Sequence, residues 1–314
     1  MRLKLIVLLL FISTTNVWAQ THSSEIGLQT DNDAYLTQGS DKYYTNGFFL
    51  HYRHALKTSD GSSLQNKVLG IELGQKIFNA QAGRIPEAKY VDRPIAGYLY
   101  AGANLNLLYK NESNLKLGAQ VGIIGPGSLA KEAQTFIHDT FGLYSIDGWQ
   151  FQIKNAAQVN LSAEYNRLLA RATWIDMSLT SYANAGTGFT GAGAGPLIRI
   201  GNFNQLFNSF STQSTAIANT VTPLHKQEFF FYYKPQFNLV VYDATIQGGM
   251  FNSRATYPEI VDKIKPAIFS QEFGVAYAGD RWILNFAMHT RSKESALMLA
   301  PHKWGSVTIL YRFN

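Results

Sequence analysis

Apolar and polar residues alternate along most of this chain with a period of two, the spacing that sends successive side chains to opposite faces of a β-strand. In 98–107, Leu99, Ala101, Ala103, Leu105 and Leu107 share one face, and Tyr98, Tyr100, Gly102, Asn104 and Asn106 the other. In 115–123, Leu115, Leu117, Ala119, Val121 and Ile123 oppose Lys116, Gly118, Gln120 and Gly122. Segment 151–164 sets Phe151, Ile153, Ala157, Val159 and Leu161 against Gln152, Lys154, Gln158, Asn160, Ser162 and Glu164. The pattern predicts twelve strands near 25–33, 46–56, 66–77, 97–108, 114–124, 149–164, 167–181, 187–200, 227–245, 266–278, 281–291 and 304–313.

Several of these segments exceed the usual strand length of about 5–6 residues in soluble sheets. Their number is even, as in single-chain bacterial outer-membrane barrels. With the N-terminus in the periplasm, the long connections 78–96, 125–148, 246–265 and 292–303 fall outside the cell. The tight turns 109–113, Tyr165-Asn166 and Gly279-Asp280 fall inside, which is the usual asymmetry of such barrels. Segment 201–226 breaks it: a long polar stretch on the periplasmic side, either a miscounted strand or an exceptional loop. The fold expected is all-β, a transmembrane antiparallel β-barrel of about twelve strands with a short extracellular helix.

The first residues agree with export. Arg2 and Lys4 precede an apolar run from Leu5 to Ile12, and Val17-Trp18-Ala19 is a cleavage site of secretory type, so 1–19 reads as a signal peptide and 20–314 as the barrel domain. The chain has no cysteine, which excludes a disulfide framework, and no later run of apolar residues is long enough for a membrane helix. Aromatics make up 13% and charged residues only 15%, well below the roughly 25% charged of soluble domains, which favours a lipid-facing surface. A formal net charge of +6, falling to +4 once Arg2 and Lys4 leave with the signal, is compatible with an anionic lipid.

Two polar clusters lie at the predicted extracellular rim: Thr30-Asp31-Asn32-Asp33 closes strand one, and Asp41-Lys42-Tyr43-Tyr44-Thr45-Asn46-Gly47 opens strand two. Oxygens of Asn32, Asp33 and Thr45 could share a hard cation, although Asn, Asp and Gly are equally ordinary turn residues. In 125–148, Pro126-Gly127-Ser128 reads as a turn and helix N-cap before a helix over 129–138, which places Gln134 and His138 on one face. A surface histidine in a hydrogen bond is the plainer alternative for His138.

The runs Asp31-Asn32-Asp33, Asp41 to Gly47, Asp92-Arg93-Pro94-Ile95-Ala96-Gly97 and Gly125-Pro126 through Gln134 and His138 to Gly148-Trp149-Gln150 together resemble the outer-membrane lipid A 3′-O-deacylase family. So do Tyr242 through Gln247-Gly248-Gly249, Arg291-Ser292-Lys293-Glu294 and His302-Lys303-Trp304-Gly305. Asp31, where Glu is common, and Ile95, where an aromatic is common, depart from the family pattern. The resemblance implies a twelve-stranded barrel that removes 3′-linked acyl chains from lipid A in a calcium-dependent reaction, at a site between barrel wall and extracellular helix. It assigns function to Asn32, Asp33, Thr45, Gln134 and His138, the first three as calcium ligands.

No Gly-x-Ser-x-Gly elbow is present, so the expected chemistry is attack by water, with His138 as general base and Gln134 orienting substrate or water. Arg84, Lys89, Arg93 and Lys131 are candidates to pair with lipid phosphates. The expected setting is the bacterial outer membrane, with lipopolysaccharide as substrate, a monomeric protein and no nucleic-acid partner. The rival readings are a non-catalytic barrel such as a porin, and an outer-membrane phospholipase.

Overall fold

The computed structural model describes residues 22–36, 41–59, 61–253 and 255–314, so the predicted signal peptide 1–19 lies outside the described residues. Twelve antiparallel strands close on themselves: β1 (Ser24–Asn32), β2 (Tyr44–Ala55), β3 (Leu64–Phe78), β4 (Ala96–Tyr109), β5 (Ser113–Ile124), β6 (Ala156–Arg171), β7 (Ile175–Gly186), β8 (Phe189–Asn202), β9 (Glu228–Asp243), β10 (Ala267–Ala278), β11 (Trp282–Arg291) and β12 (His302–Phe313). Every strand pairs with its sequence neighbours, and β1 pairs with β12, so no edge is left unpaired. That is the condition for backbone to cross hydrocarbon, where an unpaired amide has no water to turn to.

The alternation decides what faces lipid. On β1, Ile26 and Leu28 point outward, 44% and 60% exposed. Glu25 points inward to a 2.5 Å ion pair with Arg53, and Asp31 inward to Tyr44 and Ser306. On β9, Phe229, Phe231, Phe237, Leu239 and Val241 are all exposed outward. Trp174, Trp282 and Tyr311 lie near the short-turn end, as in the aromatic girdles of outer-membrane barrels.

Strands six and seven differ from the predicted 149–164 and 167–181. Trp149–Phe151 is a 3-10 turn, β6 starts only at Ala156, and the reversal falls at 172–174 rather than at Tyr165-Asn166. Phe151 and Ile153 alternate in sequence like strand residues, but they fill small cores under the long loops: Phe151 packs with Ala80, Ile85 and Val91, and Ile153 with Ala96, Ile124 and Ala244. Tyr165 and Asn166 stay in the ladder opposite Leu115 and Asn114, and Asn166 Nδ2 donates to Asn114 Oδ1 at 3.1 Å. Asn can turn the chain, yet here its amide continues a row of lumenal hydrogen bonds.

Segment 203–227 is the exceptional loop, and the strand count stands. It folds back into the short-turn end of the barrel. Asn66 Nδ2 donates to the carbonyls of Phe207, Ser214 and Ala216, and Asn106 Nδ2 to that of Thr212. Thr215 Oγ1 donates to Glu25, Ser209 Oγ to Glu228, and the backbone N–H of Leu206 to Glu112. Phe207 packs on Ala55, Val68 and Leu108, and Phe210 on Ala278, Ile283 and Leu310. Contacts on strands from β1 round to β12 make this segment a plug across the lumen.

Candidate functional site

Strand parity divides the polar rim clusters: Thr30, Asn32 and Asn46 face out of the barrel, while Asp31 and Tyr44 face in. Asn32 continues the outward row Ile26, Leu28, Thr30, and it pairs directly with Asn46 of β2, to whose Oδ1 it donates at 2.6 Å. Asn46 shares the outward row of Phe48 and Leu50, and an irregularity of β2 between Tyr44 and Asn46 makes Thr45 an extra residue opposite β3. Tyr44 can then point inward to Asp31 at 2.8 Å while Asn46 points out. Bulges of this kind re-aim side chains beside active sites. Thr45 is fully buried, its Oγ1 accepting from Asn79 Nδ2 at 3.2 Å.

The helix of the β5–β6 loop, α1 (Ala130–Phe141), lies against the same outer wall. Gly97 shares the outward face with Leu99, and a Cβ on it would sit 2.2 Å from Ala130 Cβ, so only glycine lets the helix approach this closely. Gln75 Nε2 donates to Ser128 O at 2.7 Å, fastening the helix entry to β3. Ser128 is not the N-cap expected from sequence: its hydroxyl donates to Gly125 O at 2.6 Å within the turn Pro126–Ser128, and Leu129, in left-handed backbone, caps the helix. The helix also runs past 138, to a Gly142 C-cap in left-handed backbone whose N–H meets His138 O.

Ala130, Gln134 and His138, spaced four apart, form the buried stripe of α1. His138 Nδ1 lies 2.7 Å from Tyr144 O, and since a carbonyl only accepts, that nitrogen carries the proton. Nε2 faces the Asp41 carboxylate, with Oδ2 at 2.9 Å, a contact that is an ion pair when the ring carries both protons; with Asp41 displaced, Nε2 is the nitrogen free to accept a proton. Tyr144 OH donates to the same carboxylate at 2.6 Å. Gln134 accepts from the indole Nε1 of Trp149 at 3.1 Å, and its own Nε2 has no protein partner.

Asp33 is 1% exposed and accepts from the Lys42 backbone N–H at 2.7 Å. Burial first, and the nearby charge of Asp41 second, push its carboxyl up to about 8. Among the described residues no hydrogen bond joins Gln134 or His138 directly to Asn32, Asp33 or Thr45; Asp41 pairs with His138 and acts on Asp33 through its charge. Sequence placed Asp41 only in the polar run that opens strand two and did not single out Tyr144; no local pattern ties either to His138, which they reach through contacts formed in the fold.

The donors available to a cation here are oxygens: the Asn32 amide, the Thr45 hydroxyl and the Asp33 carboxyl. A buried carboxyl driven toward its neutral form beside a second carboxylate is the environment a hard cation would relieve. Among the described residues no group of three or more His, Cys, Asp or Glu side chains is placed to hold a metal ion, so any cation site here depends on amide and hydroxyl oxygens as well.

The remaining rim charges divide into two kinds. Arg93 is fully buried, reaching Glu294, Pro94 O and Thr245, so it ties loops together and is not open to a phosphate, contrary to the expectation from sequence. Burial raises the Glu294 carboxyl, but Arg291, then His302 and Arg93, outweigh it and hold the group well below the usual carboxylate range. Arg84, Lys89 and Lys131 are exposed. A lumenal cavity of about 420 Å³ is lined by Glu72, Lys76, Lys116, Glu164 and Arg291 among others, and none of the five candidate residues borders it.

The chain matches the family model described as Outer membrane protein LpxR over residues 5–313. It is similar in structure to LpxR from Salmonella typhimurium, with a TM-score of 0.75 at 19% identity over 92% of this chain and 100% of that one. The β domain of the Bordetella autotransporter BrkA aligns with a TM-score of 0.50 at 10% identity, over 94% and 99% of the two chains. No curated protein sequence matches the chain.

Proposed function

We propose that this chain, which belongs to the LpxR outer membrane protein family and resides in the bacterial outer membrane, hydrolyses the 3′-linked acyl (acyloxyacyl) ester of lipid A at the site under α1. The observation that carries the reading is the outward placement of the site. Asn32 and Asn46 head the lipid-facing rows of β1 and β2, one pair beyond Thr30 and Phe48 and two beyond the exposed Leu28 and Leu50. A substrate anchored in the outer leaflet meets this site by moving sideways along the wall, whereas a soluble substrate in the lumen would face Asp31 and Tyr44 instead. The plug at the short-turn end speaks against a porin, because its contacts run round the lumen.

In the chemistry proposed, a water takes Asp41's place opposite His138 Nε2. As the water oxygen attacks the ester carbonyl carbon, its proton passes to Nε2 and the carbonyl π electrons move to oxygen. Collapse of the tetrahedral species breaks the bond to the alcohol oxygen, which takes the proton back from His138; a fatty acid and a free hydroxyl leave. Tyr144 O holds the imidazole so that Nε2 faces the substrate side. General base assistance of this kind is worth typically 10²–10⁴-fold. Asn32, Asp33 and Thr45 would hold Ca2+, which when bound polarises a carbonyl oxygen as a Lewis acid.

Mass spectrometry of lipid A from cells with and without the protein tests the proposal: loss of the 3′-linked acyl chains is expected, and unaltered lipid A with altered phospholipids would point to phospholipase activity instead.

A further inference from the structure

Gln134 is fully buried on the wall-facing stripe of α1, yet its amide is only half satisfied. Its Oε1 accepts from Trp149 Nε1 at 3.1 Å, while both N–H donors on Nε2 lack a protein partner. A buried donor left unpaired is costly, and most buried polar groups avoid it. The indole explains why the amide does not turn round. Trp offers one N–H and no acceptor, so the flipped amide would set donor against donor. Trp149 therefore decides which end of Gln134 faces the site.

Trp149 is itself immobilised. It is 4% exposed and packs with Ile77, Ile95 and Ala130, and with the partly buried Phe48, Ala133 and Ile146. The chain enters it through Gly148, whose φ of 102° is left-handed and whose missing Cβ would meet Ile85 and Ile95 at 2.9 Å. It is thus unlike Trp174 and Trp282, which are exposed near the short-turn end. Its one polar atom is spent on Gln134.

Building on the hydrolase reading above, we propose that Trp149 is a positioning residue for the reaction: it locks the Gln134 amide so that the Nε2 donors meet the carbonyl oxygen of the scissile ester. Gln134 and His138 are one helical turn apart on one face, about 5–6 Å between Cβ atoms. That spacing lets the base stand at the attacking water while the amide stands at the carbonyl oxygen, where negative charge gathers during attack. The donor is aimed before substrate arrives, so no reorganisation is needed in the transition state.

The test uses the full-length protein in detergent with calcium and purified lipid A, comparing kcat and KM for wild type, Gln134→Glu and Trp149→Phe. Gln134→Glu keeps an acceptor for the indole and replaces the N–H donors by a second carboxylate oxygen, which can only oppose the developing oxyanion; kcat should fall at least about 10²–10³-fold, as for other lost oxyanion donors, with KM within about threefold. Trp149→Phe keeps the aromatic fill and frees the amide to turn, so kcat should fall on the order of tenfold, again with KM little changed. The Trp149 indole N–H resonance should persist in Gln134→Glu and shift on Gln134→Leu, a change that cavity filling alone would not produce. Wild-type kcat in Trp149→Phe, or turnover retained in Gln134→Glu, would overturn the proposal while the hydrolase reading stands. A wild-type protein that releases no fatty acid removes both.

Discussion

His138 holds its two ring nitrogens in different company: Nδ1 is 2.7 Å from Tyr144 O, and Nε2 is 2.9 Å from Asp41 Oδ2. The first contact sets the tautomer and the second marks where a water must enter. Asp41→Asn should leave the ring in place, since Tyr144 O still fixes it, but should lower turnover by about 10–100-fold by removing a carboxylate from beside both His138 and Asp33. Unchanged turnover, measured by fatty-acid release, would separate Asp41 from the reaction.

The burial of Asp33 predicts that a cation held by its carboxyl binds with an affinity that depends on pH. Its carboxyl is raised from 3.8 to about 8 in the folded protein, so between those values the folded state binds the proton that the unfolded state has lost. Without a cation, the stability that this protonation contributes is complete below pH 3.8 and is lost as pH rises through about 8. A cation must displace the proton, so calcium affinity should rise about tenfold per pH unit below 8 and level off above it. Calorimetry in two buffers of different ionisation enthalpy reads the released proton. A pH-independent affinity with no proton release would remove Asp33 from the ligand set.

Much of this arrangement is legible in sequence, for a definite reason. Period two is a property of the strand itself, so the rows through Leu99–Leu107 and Leu115–Ile123 could be read residue by residue, and helical spacing put Gln134 beside His138. Phe151 and Ile153 misled because a loop core rewards apolar residues as a membrane does. Asp41, Tyr144 and Trp149 stayed hidden because their roles arise from contacts 15 to 103 residues apart, which no local pattern encodes. The bulge at Thr45 was invisible too, and it is what turns Tyr44 inward to Asp31.

Lipid exposure predicts asymmetric tolerance along β1. Leu28→Arg places a charge in the lipid-facing row and should destabilise the barrel by about 2–4 kcal/mol if it lies near the midplane. Gln29→Arg puts the same charge on the inward face of the same strand, beside the Asp31 carboxylate that Gln29 Nε2 reaches at 2.9 Å, and should cost far less. Urea titration in detergent, followed by the shift between folded and unfolded bands, distinguishes the two. Equal effects would contradict the assigned faces.

The plug predicts a closed channel. Wild-type protein in planar bilayers should show no steady conductance, and replacing 205–222 by a short Gly-Ser linker should open one, provided heat-modifiable migration confirms that the shortened barrel folds. Steady conductance through the wild-type barrel would contradict the plug.

The most direct measurement is the mass of lipid A after incubation with purified wild-type protein and with His138→Ala, calcium present in both. The wild type should remove the 3′-linked acyl chains, and His138→Ala should be slower by about 10²–10⁴-fold while migrating as a folded barrel. Near-normal turnover by His138→Ala would show that His138 is not the base and would return the polar rim to ordinary turn chemistry.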